Sequence, residues 1–319
     1  MWQGSMVSLV FIKETSMDLA QEWRVLSTER RAPDLPQHWD ERAEAIGAKD
    51  APSDYVEQCI EKMDLQLGDS IFDMGCGSGS IAIPLAEHFH KVLAADFSEG
   101  MLSALQKRIP QNCEKRIELK KLAWSDDWLR AGIKPESYDI ALASRSLITS
   151  DLEEALKKLN EVARRRVCLT VTTGMSPRLD GRMLADIGIT PQKRNDAIYA
   201  FGIAADLGYF PQVSYITSYK TEVFESKDAA LKKYQDMLKI AHATLTQEEH
   251  KRAEQAIDTW VTQHLKKVEG GWEFDEPRKI IWAFIFWDKP GVEPVESNHS
   301  SHSHHHHNHA GHGHHHHHH

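Results

Sequence analysis

The stretch IFDMGCGSGS, from Ile71 to Ser80, decides the fold. It places three alternate glycines after a short apolar run that ends in an acid, Asp73, and apolar residues recur at helical spacing directly afterwards, at Ile81, Leu85 and Phe89. The glycines therefore lie at a turn from a buried strand to a helix. Glycine permits positive φ there and lets a ligand approach bare backbone, while the helix start presents unpaired N–H groups. The turn predicts a ligand site.

Four more predicted strands follow. The first, Lys91 to Phe97, contains Asp96, 21 positions after Gly75. Strands alternating with helices predict a mostly parallel sheet with right-handed crossovers, whose ligands bind at the carboxyl ends of the strands. The other three predicted strands are Ile117 to Leu122, Tyr138 to Ser144 and Val167 to Thr172.

The second half of the chain predicts a helical insertion before a final strand. Residues 178–207 have helical spacing, residues 213–223 alternate as a strand with two different faces, and residues 280–287 are apolar without a break, as in a strand covered on both faces. Residues 227–268 are predicted to be the insertion. Capping boxes at Ser150/Glu153 and Thr246/Glu249 predict helix starts.

Composition excludes several classes of protein. The net charge of -9 argues against a nucleic-acid partner, and we interpret the run Arg164-Arg165-Arg166 as a solvated helix end. No stretch is apolar and long enough to span a membrane, and no signal peptide is expected. The four scattered cysteines suit a reducing compartment, so we predict a cytoplasmic protein.

The acids and glycines together resemble those of class I S-adenosylmethionine-dependent methyltransferases. The resemblance rests on D-x-G-x-G-x-G at Asp73 to Gly79, on Asp96 after the second strand, and on the acidic group Ser125-Asp126-Asp127 after the third. It implies a Rossmann-like, seven-stranded, mostly parallel sheet with the last strand antiparallel. The methyltransferase domain would span residues 67–289, preceded by an N-terminal helical cap at 17–66, with residues 1–16 disordered or vector-derived.

The resemblance also implies where S-adenosylmethionine binds and S-adenosylhomocysteine forms. The glycine loop would hold the methionine part, Asp96 the ribose hydroxyls, and Asp126 with Ser125 the adenine amino group, while Phe97 and Met101 pack on the adenine. Arg42, in the cap, would meet the cofactor carboxylate. The complete set of predicted cofactor residues is Asp73, Gly75, Cys76, Gly77, Gly79, Asp96, Phe97, Met101, Ser125, Asp126, Ser144 and Arg42.

A dinucleotide-binding fold is the rival interpretation, because Gly75, Gly77 and Ser80 approximate G-x-G-x-x-G and Asp96 has the expected distance. It would make the protein an NAD-dependent oxidoreductase. Asp73 favours the methyltransferase: an acid beside a helix start would repel a pyrophosphate, whereas the sulfonium and ammonium groups of S-adenosylmethionine are cations. A core strand and turn that binds no nucleotide is the third interpretation.

Methyl transfer from a sulfonium needs an in-line approach and a dry pocket, so no obligatory catalytic residue follows. Tyr55, Arg145 and Tyr199 are the candidates, with Arg145 placed to orient an anionic substrate. The fourth strand ends Ser144-Arg145-Ser146 and lacks the Asn/Asp-Pro-Pro-aromatic motif of methyltransferases that act on planar amino groups. We predict a small-molecule acceptor and a monomer or homodimer.

Residues 290–319 are predicted to be a disordered, histidine-rich tail whose last six residues resemble a purification tag. Imidazoles suit nickel or zinc, so an alternative function is an S-adenosylmethionine-binding protein whose tail acts in metal homeostasis or sensing. The body of the chain shows no pattern for a catalytic metal. The candidate tail ligands are His302, His304, His305, His306, His307, His309 and His312.

Overall fold

The computed structural model describes residues 18–30, 54–193, 195–241 and 243–291. Two helices precede the first strand, α1 (Leu19–Arg30) and α2 (Asp54–Met63). The central elements then alternate: β1 (Ser70–Met74), α3 (Ala82–Glu87), β2 (Lys91–Asp96), α4 (Glu99–Arg108), β3 (Ile117–Lys121), β4 (Tyr138–Ser144), α5 (Leu152–Val162) and β5 (Ala163–Thr172). The remaining elements are α6 (Gly181–Ile187), α7 (Asp196–Asp206), β6 (Gln212–Lys220), β7 (Val223–Phe224), α8 (Lys227–Ile240), α9 (Gln247–His264), β8 (Leu265–Val268), β9 (Gly271–Phe274) and β10 (Arg278–Asp288).

The predicted fold class is confirmed. Seven of the strands form one sheet in the order β3-β2-β1-β4-β5-β10-β6. The first five strands pair in parallel, and β10 pairs antiparallel with both β5 and β6. Because β6 and β5 run antiparallel to the same strand, β6 points the same way as the parallel strands, and its end lies at their carboxyl edge.

Alternating side chains of the sheet build a core on each face. On one face, α1, α5 and α7 cover side chains such as Phe72, Leu169 and Trp287. On the other, α2 and α3 cover side chains that include Ile71 and Phe284. The central strands β1, β2 and β4 are buried on both faces, as their apolar sequences predict. This three-layer packing fixes the carboxyl edge where they end.

The two capping boxes predicted one helix start correctly and one with an error of a single residue. Thr246 caps α9 by accepting a hydrogen bond from the Glu249 backbone N, as predicted. The start of α5 was predicted one residue early, because Asp151 is the cap and accepts from Glu154 N. The helix after the glycine turn ends at Glu87, and Phe89 takes a positive φ of 68° with an exposed side chain, so its place on the buried face was wrong.

The arginine run is not a solvated helix end. Residues 164–166 belong to β5, and both Arg165 and Arg166 are buried. Arg165 pairs with Asp69, and Arg166 pairs with Asp288 at 2.7 Å. Each charge is buried against a carboxylate that is distant in sequence, a partner which local pattern does not reveal.

The insertion before the last strand has a core of its own. Helices α8 and α9 occur as predicted, but residues 265–268 form β8 and not a helix. Strands β7, β9 and β8 make a second, antiparallel sheet. The apolar side chains of this sheet and of α8 and α9, among them Phe224, Tyr234 and Trp260, pack with Met183 of α6. Across the described residues, no helix combines the length and apolar character that a membrane crossing requires.

Candidate cofactor and acceptor site

The glycine turn after β1 has the backbone that its sequence predicts. Gly75, Gly77 and Gly79 all have positive φ, at 80°, 54° and 90°. The backbone N atoms of Gly75 and Cys76 both donate to the Ala95 carbonyl of β2, at 2.7 and 2.9 Å. The turn therefore lies against the end of the neighbouring strand, with its shape fixed by backbone contacts.

The three glycines differ in what surrounds them. A Cβ at Gly75 would lie 2.3 Å from the Ser146 Cβ, and one at Gly79 would lie 2.2 Å from Leu105 Cδ1. A Cβ at Gly77 would meet no described atom within 4 Å. Gly75 and Gly79 are thus required by packing, whereas Gly77 borders open space where a ligand can approach the backbone.

Asp73 lies beneath this turn and is buried. Its Oδ1 has no hydrogen-bond partner among the described residues. Burial, and then the nearby charge of Asp96, raise the pKa of Asp73 to about 7. A buried carboxylate without a partner is costly, so this site favours a cationic ligand over an anionic one.

Asp96 ends β2 and faces the turn. Its Oδ2 accepts from Gly77 N and its Oδ1 accepts from Ser98 N, each at 2.9 Å. Ser98 then caps α4 by accepting from Met101 N. Met101 is buried and Phe97 is half-buried. The structure thus brings Asp96, Phe97 and Met101 to the edge of the sheet that holds the glycine turn.

The acidic group after β3 is solvent-exposed. Ser125 and Asp126 are both exposed, and Asp126 Oδ2 accepts from the Ala123 backbone N at 2.9 Å. Lys158 fixes the loop by donating to the carbonyls of Trp124 and Asp126, at 2.6 and 2.9 Å. The loop follows β3, which neighbours β2, so Asp126 lies at the same edge as Asp96.

Tyr55 of α2 reaches the ends of two strands. Its hydroxyl hydrogen-bonds Ser144 Oγ of β4 at 2.7 Å and Thr170 Oγ1 of β5 at 2.6 Å. Burial is the main cause that raises the pKa of Tyr55 well above its ordinary value. The phenol therefore stays protonated and links α2 to the ends of β4 and β5 by hydrogen bonds. It is poorly suited to act as a general base.

Arg145, directly after β4, has a φ of 54°, a conformation that L residues other than glycine adopt at a cost. Its guanidinium lies over the Tyr55 ring, 3.9 Å from the centroid, and 5.7 Å from the Trp282 centroid. Its backbone N donates to Thr170 Oγ1 at 2.8 Å. The side chain is exposed, so stacking holds a cation at the edge of the sheet.

The other predicted residues are not part of the cluster that Tyr55 and Arg145 form. The Tyr199 hydroxyl of α7 donates to Glu22 of α1 at 2.9 Å, and the ring packs on Trp23, so the structure gives it contacts that hold α1. Arg42 lies outside the described residues, as do residues 1–16 and the histidines of the tail. The roles predicted for them stay predictions. Cys76 is buried within the turn.

The sequence did not reveal the roles of three residues that shape this site. Ser146 packs on Gly75 and donates to the Met74 carbonyl at 2.6 Å. Thr170 joins Tyr55 and Arg145, as described above. Arg108 donates to the carbonyl of Ser78 at 2.8 Å and so fixes the turn from α4. A polar residue at the end of an otherwise apolar strand was the available signal for Thr170.

Residues 71–166 match the model of a family described as "Methyltransferase domain". This stretch is similar to a methyltransferase domain. It covers the glycine turn, Asp96, Asp126 and the end of β4, and its fold is of the Rossmann-like class I type that the resemblance predicted.

Relatives share the domain over part of their length. An uncharacterized protein of Haemophilus influenzae is 34% identical over 140 residues, which are 43% of this chain and 51% of that protein. A demethylmenaquinone methyltransferase of Lactobacillus johnsonii is 30% identical over 108 residues, 32% of this chain and 43% of the relative. The chain thus spans about half the length of these two curated relatives. The solved structure of YcgJ from Bacillus subtilis has a TM-score of 0.45 at 12% identity, covering 74% of this chain and 98% of that one.

Proposed function

We propose that the protein is an S-adenosylmethionine-dependent methyltransferase that acts on a small molecule in the cytoplasm. The buried carboxylate of Asp73 is the observation that carries this proposal. It lies beneath the glycine turn, its Oδ1 has no hydrogen-bond partner in the described part of the chain, and Asp96 is close enough to raise its pKa. Two acids at a helix start oppose a pyrophosphate and stabilise a cationic ligand.

The residues present fit this cofactor. Gly77 offers open space beside bare backbone, and Asp96 and Asp126 offer carboxylates along one edge. In this proposal Asp96 holds the ribose hydroxyls, Asp126 with Ser125 meets the adenine, and Phe97 and Met101 pack on its ring. When bound, the cofactor supplies a methyl group activated by a positively charged sulfur.

In this proposal, the residues at the ends of β4 and β5 position the methyl acceptor and exclude water from it. Three hydroxyls form a hydrogen-bonded cluster at the ends of β4 and β5, those of Tyr55, Ser144 and Thr170. The guanidinium of Arg145 stacks on the Tyr55 ring. Burial raises the pKa of Tyr55, so its phenol stays protonated and is not available to accept a proton. We therefore propose that the enzyme accelerates transfer by holding the acceptor in line and excluding water.

Two measurements test this function. Calorimetry of the full chain with S-adenosylhomocysteine should show saturable binding, while a nicotinamide dinucleotide should show none. A methyl donor labelled on the methyl group, incubated with protein and a small-molecule fraction of cell extract, should then yield a labelled product. Binding of the dinucleotide without S-adenosylhomocysteine would overturn the proposal. Cofactor binding with no transfer to any fraction would instead identify a binding protein.

A further inference from the structure

A cleft lies where the insertion leaves and rejoins the main sheet. It has an empty volume of about 280 Å³, including its open mouth. Lys220 ends β6, Arg278 begins β10, and the two are paired in register, so both line the cleft at the carboxyl edge of the sheet. Phe224 and Tyr234 of the insertion close its other side. The cleft thus lies between the carboxyl edge of β6 and β10 and the insertion.

Arg278 is a buried cation with only 8% of its surface exposed. Its Nη1 donates to the Pro177 carbonyl at 3.3 Å, and within the described residues no carboxylate oxygen lies within 4.0 Å of its nitrogens. Burying a charge is costly unless an opposite charge is close. By contrast, the buried Arg165 and Arg166 of this chain both have a carboxylate.

Lys220 adds a second cation without a carboxylate in ion-pair range among the described residues. Lys220 is exposed in surface area, yet burial of its ammonium is the main cause that lowers its pKa. The positive charges of Lys233, Arg278 and Arg145 lower this pKa further, and the carboxylate of Glu222 opposes them in part. The surroundings therefore penalise a positive charge at this position, and a bound anion would relieve the penalty.

The carboxylates of the cleft are mostly occupied elsewhere. Glu222 pairs with Lys233 of α8, and Glu276 pairs with Arg182 at 3.3 Å. Glu273 of β9 also lines the cleft and has no such partner in the described part of the chain. It is not within 4.0 Å of Lys220 or Arg278, so it leaves both cations available.

We infer that Lys220 and Arg278 bind a carboxylate or phosphate group of the methyl acceptor, an inference that rests on the proposed function. An oxyanion between them would give the buried guanidinium a counter-charge and accept hydrogen bonds from its parallel N–H groups. Two inter-strand spacings separate β4 from β10, about 10 Å. The acceptor is therefore a small molecule whose anionic group lies roughly that far from the methylated atom.

Inorganic phosphate and acetate are the probes, titrated into the full chain with S-adenosylhomocysteine present. Equilibrium dialysis with radiolabelled phosphate at pH 8, where the tail imidazoles are neutral, gives a dissociation constant, and acetate is tested as a competitor. Lys220→Met should weaken phosphate binding at least tenfold. Lys279→Met removes the same charge from the exposed neighbour of Arg278 and should leave binding unchanged. Glu273→Gln should tighten it.

Arg278→Met should abolish binding if the variant folds; Lys220→Met keeps the test decisive if it does not. Equal phosphate affinity in the Lys220→Met and Lys279→Met proteins would overturn the inference, as would absence of saturable binding of both probes to the natural chain. The relative strengths of phosphate and acetate distinguish a phosphorylated from a carboxylated acceptor. Failure of S-adenosylhomocysteine to bind, with phosphate binding intact, would remove the proposed function and keep the anion site.

Discussion

The backbone N of Gly77 donates a 2.9 Å hydrogen bond to the carboxylate of Asp96. This bond joins the turn after β1 to the end of β2, and the second carboxylate oxygen fixes the start of α4 through Ser98. The same acid therefore shapes the turn and presents charge to a ligand beside it. Altering Asp96 should affect both properties.

Asp96→Ala should weaken S-adenosylhomocysteine binding at least tenfold, because a charged hydrogen-bond acceptor is lost and the turn loses its support. Calorimetry gives the dissociation constant. Asp258→Ala is the matched control, since Asp258 is an exposed acid of α9 and belongs to no group assigned to the cofactor. Equal affinity in the two variants would contradict the role given to Asp96.

Asp73 should make stability fall as pH rises from 4 to 7. Its folded pKa of about 7 is raised above the unfolded value, so the native state binds the proton more tightly. The stabilising contribution is full below about pH 4 and is lost as pH rises through 7. The free energy of unfolding of Asp73→Asn, relative to that of the natural protein, should therefore increase by a few kcal/mol between pH 4 and pH 8, as measured by urea unfolding.

Asp139 provides the control for that measurement. Burial alone would raise its pKa, but hydrogen bonds from Arg164 and from the Ser70 backbone lower it below the ordinary value. Its stabilising contribution is present above the unfolded pKa and is lost only in acid. Asp139→Asn should thus differ from the natural protein by a constant amount between pH 5 and pH 8. A parallel trend in both variants would show that Asp73 is not the titrating group.

Binding of the cationic cofactor should lower the pKa of Asp73 and release a proton. Affinity for S-adenosylmethionine should then rise between pH 6 and pH 8, and the heat of binding near pH 7 should depend on the ionisation enthalpy of the buffer. Asp73→Asn should bind more weakly and lose this pH dependence. A buffer-independent heat in the natural protein would rule out the proton release.

Gly75→Ala should destabilise the protein by about 2 kcal/mol or more, because the new Cβ would overlap Ser146 in a turn that already requires positive φ. Gly132→Ala tests conformation alone, since φ is 91° there but no described atom lies within 4 Å of the added Cβ. Its cost should be about 1 kcal/mol. Urea unfolding compares the two, and similar losses would mean that contact with Ser146 does not matter.

Removal of Asp69 should cost about 3–5 kcal/mol, because it would leave the buried Arg165 without its carboxylate. Glu99→Ala breaks the exposed pair with Lys121 and should cost less than about 1 kcal/mol. The double variant Asp69→Ala/Arg165→Met should recover part of the loss. Unfolding free energies at pH 7 are measured for these three variants and for Arg165→Met alone. Losses in the double variant equal to the sum of the two single losses would contradict a direct pair.

The sequence predicted those parts of the fold that repeat regularly. Uninterrupted apolar runs identified the central strands, and the glycine turn located the cofactor edge through backbone needs that only glycine meets. Helices α8 and α9 followed from their apolar spacing. Such features depend on neighbours close in the chain, so a single sequence contains the information.

Errors arose where distant residues determine the outcome. The arginines of β5 look solvated until Asp69 and Asp288 are brought beside them, and β8 has only four residues, too few to show alternation. Thr170 gained its role from Tyr55, 115 positions earlier. No local pattern marks Lys220 and Arg278, because only the pairing register of β6 and β10 makes them neighbours.

That register has an evolutionary consequence. The insertion starts and ends at adjacent positions of two paired strands, and it shares its apolar core with α6. A segment with neighbouring ends can be lengthened, replaced or lost while the strands on either side remain paired. If the cleft binds the acceptor as we infer, exchange of this one segment changes acceptor preference and leaves the half of the molecule that carries the glycine turn as it is.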